Sequence, residues 1–491
     1  MRTKHPAARL RGLVLAIAAC VAAPVWVASA RPEVPAQPGP GPVDAAVAAR
    51  VDAAVAQVMQ RFNVPGAAIA VVQDGQRVYA NAYGLRDVER ALQVRTDTPF
   101  EIGSITKQFT AAAIIQLAEA GKLGLDDRLQ RFLPQAPHAS EVTLRQLLTH
   151  TSGLHDYFDG PEHEVDAAVA RPIAFDALIA RIADKPLDFP PGARWAYSNT
   201  GYALLGRVVE VASGERYPDY LRRHILEPLQ MTHTFSLADT VQSGDGAVGY
   251  RHEGGTLRRA PALHPDWSGA AGFLVSTLDD LTRWDVALSS GQVVSREGYA
   301  LMTTPFVTAD GDNVGYGLGL FVSSVYGQPR IGHTGGSQGF TTADEVLPGQ
   351  RLRVLAFTNL GDKTPEAGIT ISNVVVAALR PDLVAAWKHP VAGEDAAVSA
   401  GARASFLQLQ EGAGYGAFSE SLRGRLSSGL GAGFSAALRP YGPPTAWVFQ
   451  GTRATDKGPF HEYVAEFGPG VFLPYAIRPD AQGNVAGFAL D

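Results

Sequence analysis

The sequence predicts a mixed α/β fold of the α+β layer kind: a mainly antiparallel sheet with helices inserted between its strands, and a small β-rich domain at the C-terminal end. Three observations predict it. A helical pattern followed by a hairpin pattern opens the folded region, strand patterns return only after residue 315, and the stretch between, from 104 to 300, is dominated by helical periodicity. Sheet strands drawn from both ends of a unit with helices between them make layers that face each other, and a ligand site then falls between sheet and helical insert.

The chain begins with a leader pattern. Arg2, Lys4, Arg9 and Arg11 precede a mostly apolar run from Leu13 to Val27, and Ala28-Ser29-Ala30 offers a small-x-small cleavage site before Arg31. Residues 1–30 therefore predict an export signal, and a periplasmic or secreted protein. The run is shorter than the roughly 20 residues a spanning helix needs and contains Pro24, so no membrane span is expected once the signal is removed. A minor reading takes Ile17-Ala18-Ala19-Cys20 as a lipoprotein site, but the residues after Cys20 stay apolar instead of forming a polar tether. Residues 31–42 (RPEVPAQPGPGP) are a proline-rich spacer.

A first unit is expected over 43–385. Val43 to Phe62 is helical and stops at Asn63-Val64-Pro65-Gly66; Ala67 to Val72, the turn Asp74-Gly75 and Arg77 to Tyr83 form a hairpin. Helices follow at Ile105–Ala120, Leu144–Thr149, Phe175–Ala183, Gly201–Ala212 and Leu278–Leu288. Strands are expected at Gly315–Val322, Arg330–Gly332, Thr341–Val346 and Leu352–Thr358, then a helix over Ile369–Leu379. Residues 386–399 serve as a linker. From 400 to 491 the texture is rich in Gly, Ala and aromatics, with strands at Ala446–Phe449, Tyr463–Phe467 and Val471–Ile477 and a turn at Pro479–Gly483.

Composition narrows the function. The chain has 491 residues, 46% hydrophobic and 18% charged, with a net charge of -6, which leaves no basic footprint for nucleic acid. One cysteine excludes a disulfide framework and a multi-Cys metal site. His150, His155, Asp156, His163 and Glu164 cluster, but not in the i, i+4 arrangement of a helical zinc site; they read as a solvated loop at the cleft rim, with His150 in a packed Thr-His-Thr-Ser-Gly corner. No metal or cofactor is expected, the partner is a small-molecule or peptide substrate, and the oligomeric state stays open.

Three short motifs carry chemistry. Ser104-Ile105-Thr106-Lys107 opens a helix, so hydroxyl and amine share one face and the lysine can take the serine proton, close to helix N-terminal N–H groups. Of Lys4, Lys107, Lys122, Lys185, Lys363, Lys388 and Lys457, Lys107 is the one with serine three positions before it. Tyr197-Ser198-Asn199 offers a phenol that can move the proton if a neighbouring ammonium lowers its pKa, and an amide able to bond a substrate carbonyl. His333-Thr334-Gly335-Gly336 follows a strand; its glycines admit close approach of a substrate, and the Gly336 N–H can pair with that of Ser104 around an oxyanion. Two decoys need separate treatment. Tyr79-Ala80-Asn81 repeats the second motif inside the first hairpin and reads as surface strand; Gly335-Gly336-Ser337-Gln338-Gly339 matches a nucleophile elbow, but strand, turn and strand follow Ser337 where an elbow needs a helix.

Taken in order, these elements resemble the serine β-lactamase and penicillin-binding protein family, with its S-x-x-K, Y-x-N or S-x-N, and K-T-G motifs. The tyrosine form resembles the class C β-lactamase branch, which also holds D-aminopeptidases, D-alanyl carboxypeptidases and esterases. Leu147 to Leu154 (LLTHTSGL) and Gly269 to Trp284 (GAAGFLVSTLDDLTRW) fit the same branch. Over about residues 45–380 the resemblance implies an α/β sandwich facing a helical lobe, and an acyl-enzyme on Ser104 formed and released with Lys107 and Tyr197. Asn199, His333, Thr334, Gly335 and Gly336 would bind substrate. The chain departs from the family where His333 replaces the usual lysine. A histidine holds a β-lactam carboxylate less well, which favours peptidase, amidase or esterase action; a true class C β-lactamase and a non-catalytic binder of cell-wall peptides or β-lactams are the alternatives. Were His333 to hold an anion, binding would weaken as pH rises through its pKa. The C-terminal β segment resembles the lipocalin-like or other small β domains of some relatives.

Overall fold

A computed structural model describes residues 41–159, 168–239, 245–362, 366–388, 391–455, 458–468 and 470–490. The leader, Cys20, most of the spacer, His163 and Glu164 lie outside the described residues. Helix α1 (Ala45–Phe62) is capped by Asp44, whose carboxylate accepts from Val47 N at 2.8 Å, and ends at Asn63 in the left-handed region. Val51, Val55, Val58 and Phe62 recur at helical spacing and form its buried stripe.

The strands in chain order are β1 (Gly66–Gln73), β2 (Gln76–Asp87), β3 (Leu92–Gln93), β4 (Phe100–Glu101), β5 (Phe235–Ser236), β6 (Tyr250–Glu253), β7 (Thr256–Arg259), β8 (Leu274–Ser276), β9 (Phe321–Val325), β10 (Gln328–Ser337), β11 (Phe340–Leu347) and β12 (Leu352–Thr358). Seven of them make one sheet in the order β3-β2-β1-β12-β11-β10-β9, every neighbour antiparallel. The N-terminal hairpin closes directly on the late strands, with Ala70 opposite Leu355. Both faces of β1 and β12 are covered, which is why they read as continuous apolar runs instead of alternating. On the outer face lie α1 and the helix Ala367–Leu379, sharing a core with Val354, Ala356 and Ile371. On the inner face, α2 (Thr106–Glu119) is buried on nearly every side. Its Phe109 stacks on Trp284 of the helix Leu278–Ser290 at 3.8 Å, within a core that continues through Tyr202, Leu205 and Leu281 of the helical lobe.

Two differences from the sequence expectation have local causes. Gly315–Val322 is not one strand: Gly315 and Gly319 have positive φ and β9 begins at Phe321. The stretch expected as linker and β domain carries helices first, Ala396–Glu411, Glu420–Arg425 and Gly431–Leu438. The Ala- and Gly-rich texture hid them, although Asp395 caps the first by accepting from Ala397 N (2.8 Å) and Val398 N (3.1 Å). A four-stranded antiparallel meander follows: β13 (Ala446–Arg453), β14 (Phe460–Glu466), β15 (Phe472–Pro479) and β16 (Val485–Leu490). Phe406, Phe418, Tyr441 and Tyr475 of this segment join the core beneath α1, with the Phe62 and Tyr441 rings 5.5 Å apart.

Candidate active site

The inner core and the free edge of β10 meet at the turn before α2. Short strand β4 pairs with β8, Phe100 opposite Ser276, and leads into Gly103 at φ +50 and a 3-10 turn that presents Ser104. Gly103 is required there, because an added Cβ would come 2.6 Å from the Gly336 carbonyl oxygen.

One turn on, Lys107 is wholly buried. Its Nζ donates to Ser104 Oγ (3.0 Å), Asn199 Oδ1 (3.0 Å) and the Ala271 carbonyl (2.8 Å), so each ammonium hydrogen has an acceptor. Burial pushes its pKa down to about 7, opposed by the charge of Asp156. Near neutral pH a sizeable fraction is therefore free amine, and the bond to Ser104 can reverse direction with the amine as acceptor. The Ala271 carbonyl comes from the Gly269-Ala270-Ala271-Gly272 segment, where Gly269 has non-helical geometry and Ala270 packs against Gly206.

Tyr197 is hydrogen-bonded to Ser104, and its ring lies under the lysine, 4.7 Å from Nζ to centroid. The electrostatics differ from the sequence expectation. Burial raises the phenol pKa above its usual range, the charges of Asp156 and Glu366 add to the rise, and the bond from Ser104 only partly opposes it, so Tyr197 stays a protonated phenol.

Asn199 also differs. It opens the helix Asn199–Ser213, capped by Ser198 accepting from Gly201 N. Its own N–H goes to Asp156 Oδ2, its Nδ2 donates to the same oxygen at 3.2 Å, and its Oδ1 accepts from Lys107. The amide expected to bond a substrate carbonyl is thus engaged within the protein, fixing the lysine. Asp156, expected on a solvated rim, is the carboxylate behind it; burial raises its pKa.

His150 is likewise inside the site. Its Nδ1 accepts from Ser198 N at 3.1 Å, and its ring lies 4.4 Å from Tyr197 and 4.7 Å from Tyr316. Burial first, then the charge of Lys107, keep it neutral. His155 remains near the surface, facing Asp188 (3.2 Å) and Asp159 (3.4 Å).

His333 lies on β10, 1% exposed, opposite Asp344 in the ladder. Its Nδ1 donates to the Thr334 carbonyl (2.5 Å), and Nε2 accepts from Tyr316 hydroxyl (2.9 Å). Burial, then the Lys107 charge, drive its pKa down to about 3. His333 therefore presents no charge at the place where the family resemblance puts a lysine, and an anion-holding role that fades as pH rises does not follow. Thr334 is half-buried, Gly335 packs so tightly on Ile102 that a Cβ would sit 2.0 Å from its carbonyl, and Gly336 is exposed with open space above it. Tyr202 and Tyr316 are fully buried beneath the site, whereas half-buried Trp195 forms a wall with Tyr197 (6.3 Å) and Phe321 (6.4 Å).

The decoys resolve differently. Ser337 ends β10 and is followed by the tight turn into β11, so it is no elbow; its hydroxyl donates to Glu101. Tyr79 and Asn81 are not loose surface residues: both bond Asp52 of α1, as does Tyr83 (2.7 Å). Sequence reasoning missed three contributors: Asp156 as an orienting group, the Ala271 carbonyl, and Phe321. A buried-lysine argument, which asks what takes each of three ammonium hydrogens, would have sought the Ala271 carbonyl.

Residues 51–379 match the Beta-lactamase family. The chain belongs to that family. Among its relatives, this Beta-lactamase-family chain is 32% identical to penicillin-binding protein 4 of Amycolatopsis lactamdurans over 324 residues, covering 62% of this chain and 82% of that protein. It is 28% identical to a D-aminopeptidase of Gluconobacter oxydans over 333 residues, covering 67% and 62%. A D-stereospecific amidohydrolase from Streptomyces sp. superposes with a TM-score of 0.55 at 29% identity, over 66% of this chain and 96% of that one. An octameric penicillin-binding protein homologue from Pyrococcus abyssi shares the fold over 90% of this chain and 89% of its own, at 24% identity and a TM-score of 0.61. This Beta-lactamase-family member is a serine hydrolase.

Proposed function

We propose that the protein is exported and cleaves amides or esters through an acyl-enzyme on Ser104. The observation that carries this reading is the contact between Lys107 Nζ and Ser104 Oγ at 3.0 Å, with the lysine brought to about 7 by burial. In its neutral form Lys107 takes the Ser104 proton as Oγ attacks the substrate carbonyl carbon. The carbonyl oxygen becomes an oxyanion facing the N–H groups of Ser104 and Gly336. Tyr197, held as a phenol and hydrogen-bonded to Ser104, gives a proton to the leaving amine or alkoxide as the C–N or C–O bond breaks, and the proton on Lys107 is returned through the same network. Water then enters on the acyl carbon, losing its proton along the reverse route, and releases the acid.

The substrate class is supported by His333. A neutral imidazole bonded on both nitrogens offers a substrate carboxylate no counter-charge. D-amino-acid amides, amino-terminal peptides and neutral esters therefore fit better than β-lactams or peptides ending in a free carboxylate. The similarity to a D-aminopeptidase and a D-stereospecific amidohydrolase supports the amide side. The leader in residues 1–30 supports a periplasmic or secreted location.

The test is a substrate panel of p-nitrophenyl esters, D-amino-acid amides, D-alanyl-D-alanine peptides and nitrocefin, with fluorophosphonate labelling. Turnover of the esters and amides at least tenfold above the carboxylate-bearing substrates is expected, as is complete loss of labelling in Ser104→Ala. Labelling that survives Ser104→Ala, or preferred turnover of nitrocefin, overturns the reading.

A further inference from the structure

The two N–H groups assigned to the oxyanion belong to segments that are far apart in sequence, the Gly103–Ile105 turn and the free edge of β10. Their separation must be held to a few tenths of an ångström for both to reach one oxygen. Backbone packing holds part of the seam, because Gly103 and Gly335 each leave no room for a Cβ against the opposite segment.

Two hydroxyls span the rest. Thr342 Oγ1, on β11 opposite Gly335, lies 3.2 Å from the Ile102 carbonyl and 3.3 Å from the Gly335 carbonyl, so its hydrogen bridges both sides. Ser337 Oγ donates to Glu101 Oε2. Glu101 stands three residues before Ser104, and Ser337 stands one residue after Gly336. A hydrogen bond between them ties the ends of the two segments outside the pair of oxyanion donors.

We infer that Ser337 and Glu101 form a latch across this seam and are positioning residues for the oxyanion hole, acting through the backbone amides of Ser104 and Gly336. The inference rests on the Ser104 acyl-enzyme reading. Glu101 is an awkward group to keep in such a place, since burial pushes its carboxyl up to about 7. Packing alone would be better served by an apolar side chain, and the serine hydroxyl is what compensates it. The serine that imitates a nucleophile elbow therefore acts on the geometry around the true nucleophile.

The experiment compares Ser337→Ala, Ser337→Thr and Glu101→Gln with the wild type on p-nitrophenyl butyrate, and measures fluorophosphonate labelling rates, because the phosphonyl oxygen enters the same donors. Ser337→Ala should lower kcat and the labelling rate by about tenfold with KM within twofold, and Ser337→Thr, which keeps the hydroxyl, should recover most of that loss. Glu101→Gln keeps an acceptor for Ser337 and should lose no more than about threefold. An unchanged kcat in Ser337→Ala overturns the latch, and so does a loss confined to KM or one that Ser337→Thr fails to restore. If Ser337→Ala does not fold, Glu101→Leu, which removes the acceptor and leaves an apolar group, supplies the same reading. Activity surviving in Ser104→Ala would instead remove the reading beneath it, a result distinct from any of these.

Discussion

In the proposed reaction Lys107 is the residue on which the chemistry turns, and its environment sets a pH dependence. Only the free amine accepts the serine proton, so kcat/KM for a neutral ester should rise with pH along one acid limb centred near 7. His333 adds no second limb above pH 5, because its ring is already neutral there; two limbs between 5 and 8 in Glu101→Gln, which lacks the carboxyl that itself titrates near 7, would contradict this. Asp156 raises the lysine pKa through its charge and orients Asn199 through two hydrogen bonds. Asp156→Asn keeps the shape and removes the charge, so the limb should move below 7 while kcat at high pH falls by about tenfold. An unmoved limb in that variant would mean the carboxylate acts by shape alone. Ser104, Lys107 and Tyr197 were readable because the chemistry demands particular side chains at fixed spacing. Asp156 was not, because a carboxylate in a polar run looks the same whether it faces water or a buried amide, and the amide it faces, Asn199, lies far along the chain.

At the scale of elements, the turn before α2 is the tightest constraint. Gly103 combines a positive φ with a contact that leaves no space for a methyl group. Gly103→Ala should cost about 2–4 kcal/mol of stability by chemical denaturation and lower kcat with it, from backbone strain plus displacement of β10. Elements with a strong apolar signal were legible to within a few residues: α1 by its one-sided stripe, α2 and Leu352–Thr358 as nearly continuous apolar runs. The elements missed were those whose signal is weak for physical reasons. β10 runs on through Thr334, Gly335 and Gly336, where glycines carry no strand propensity and exist for close approach. The helices between 396 and 438 bury small side chains such as Ala402, Ser405 and Ser435, which give little contrast between faces.

For the whole molecule, buried carboxyls tie stability to pH. Glu101 and Glu345 are each raised to about 7, mainly by burial. Between about pH 4.5, where they titrate unfolded, and pH 7, where they titrate folded, the native state holds protons that the unfolded chain has lost. Their contribution is full below that window and fades through it, so the thermal midpoint of the wild type should fall more between pH 5 and 7 than that of Glu101→Gln, measured by calorimetry, while His150 and His333, held neutral by burial, pull both proteins the other way below the ordinary histidine range. A midpoint that climbs over this range would show that other groups dominate.

The pairing of β1 with β12 has a consequence for how activity arises in time. During synthesis the nucleophile and its lysine leave the ribosome early, whereas β10, with the glycine that faces them, and β12, which closes on the first hairpin, come late. A nascent chain therefore carries Ser104 through most of its translation without the second wall of the cleft, and a product terminated before β12 lacks a central strand of its sheet. On the proposed mechanism, hydrolysis therefore has to wait for the late strands.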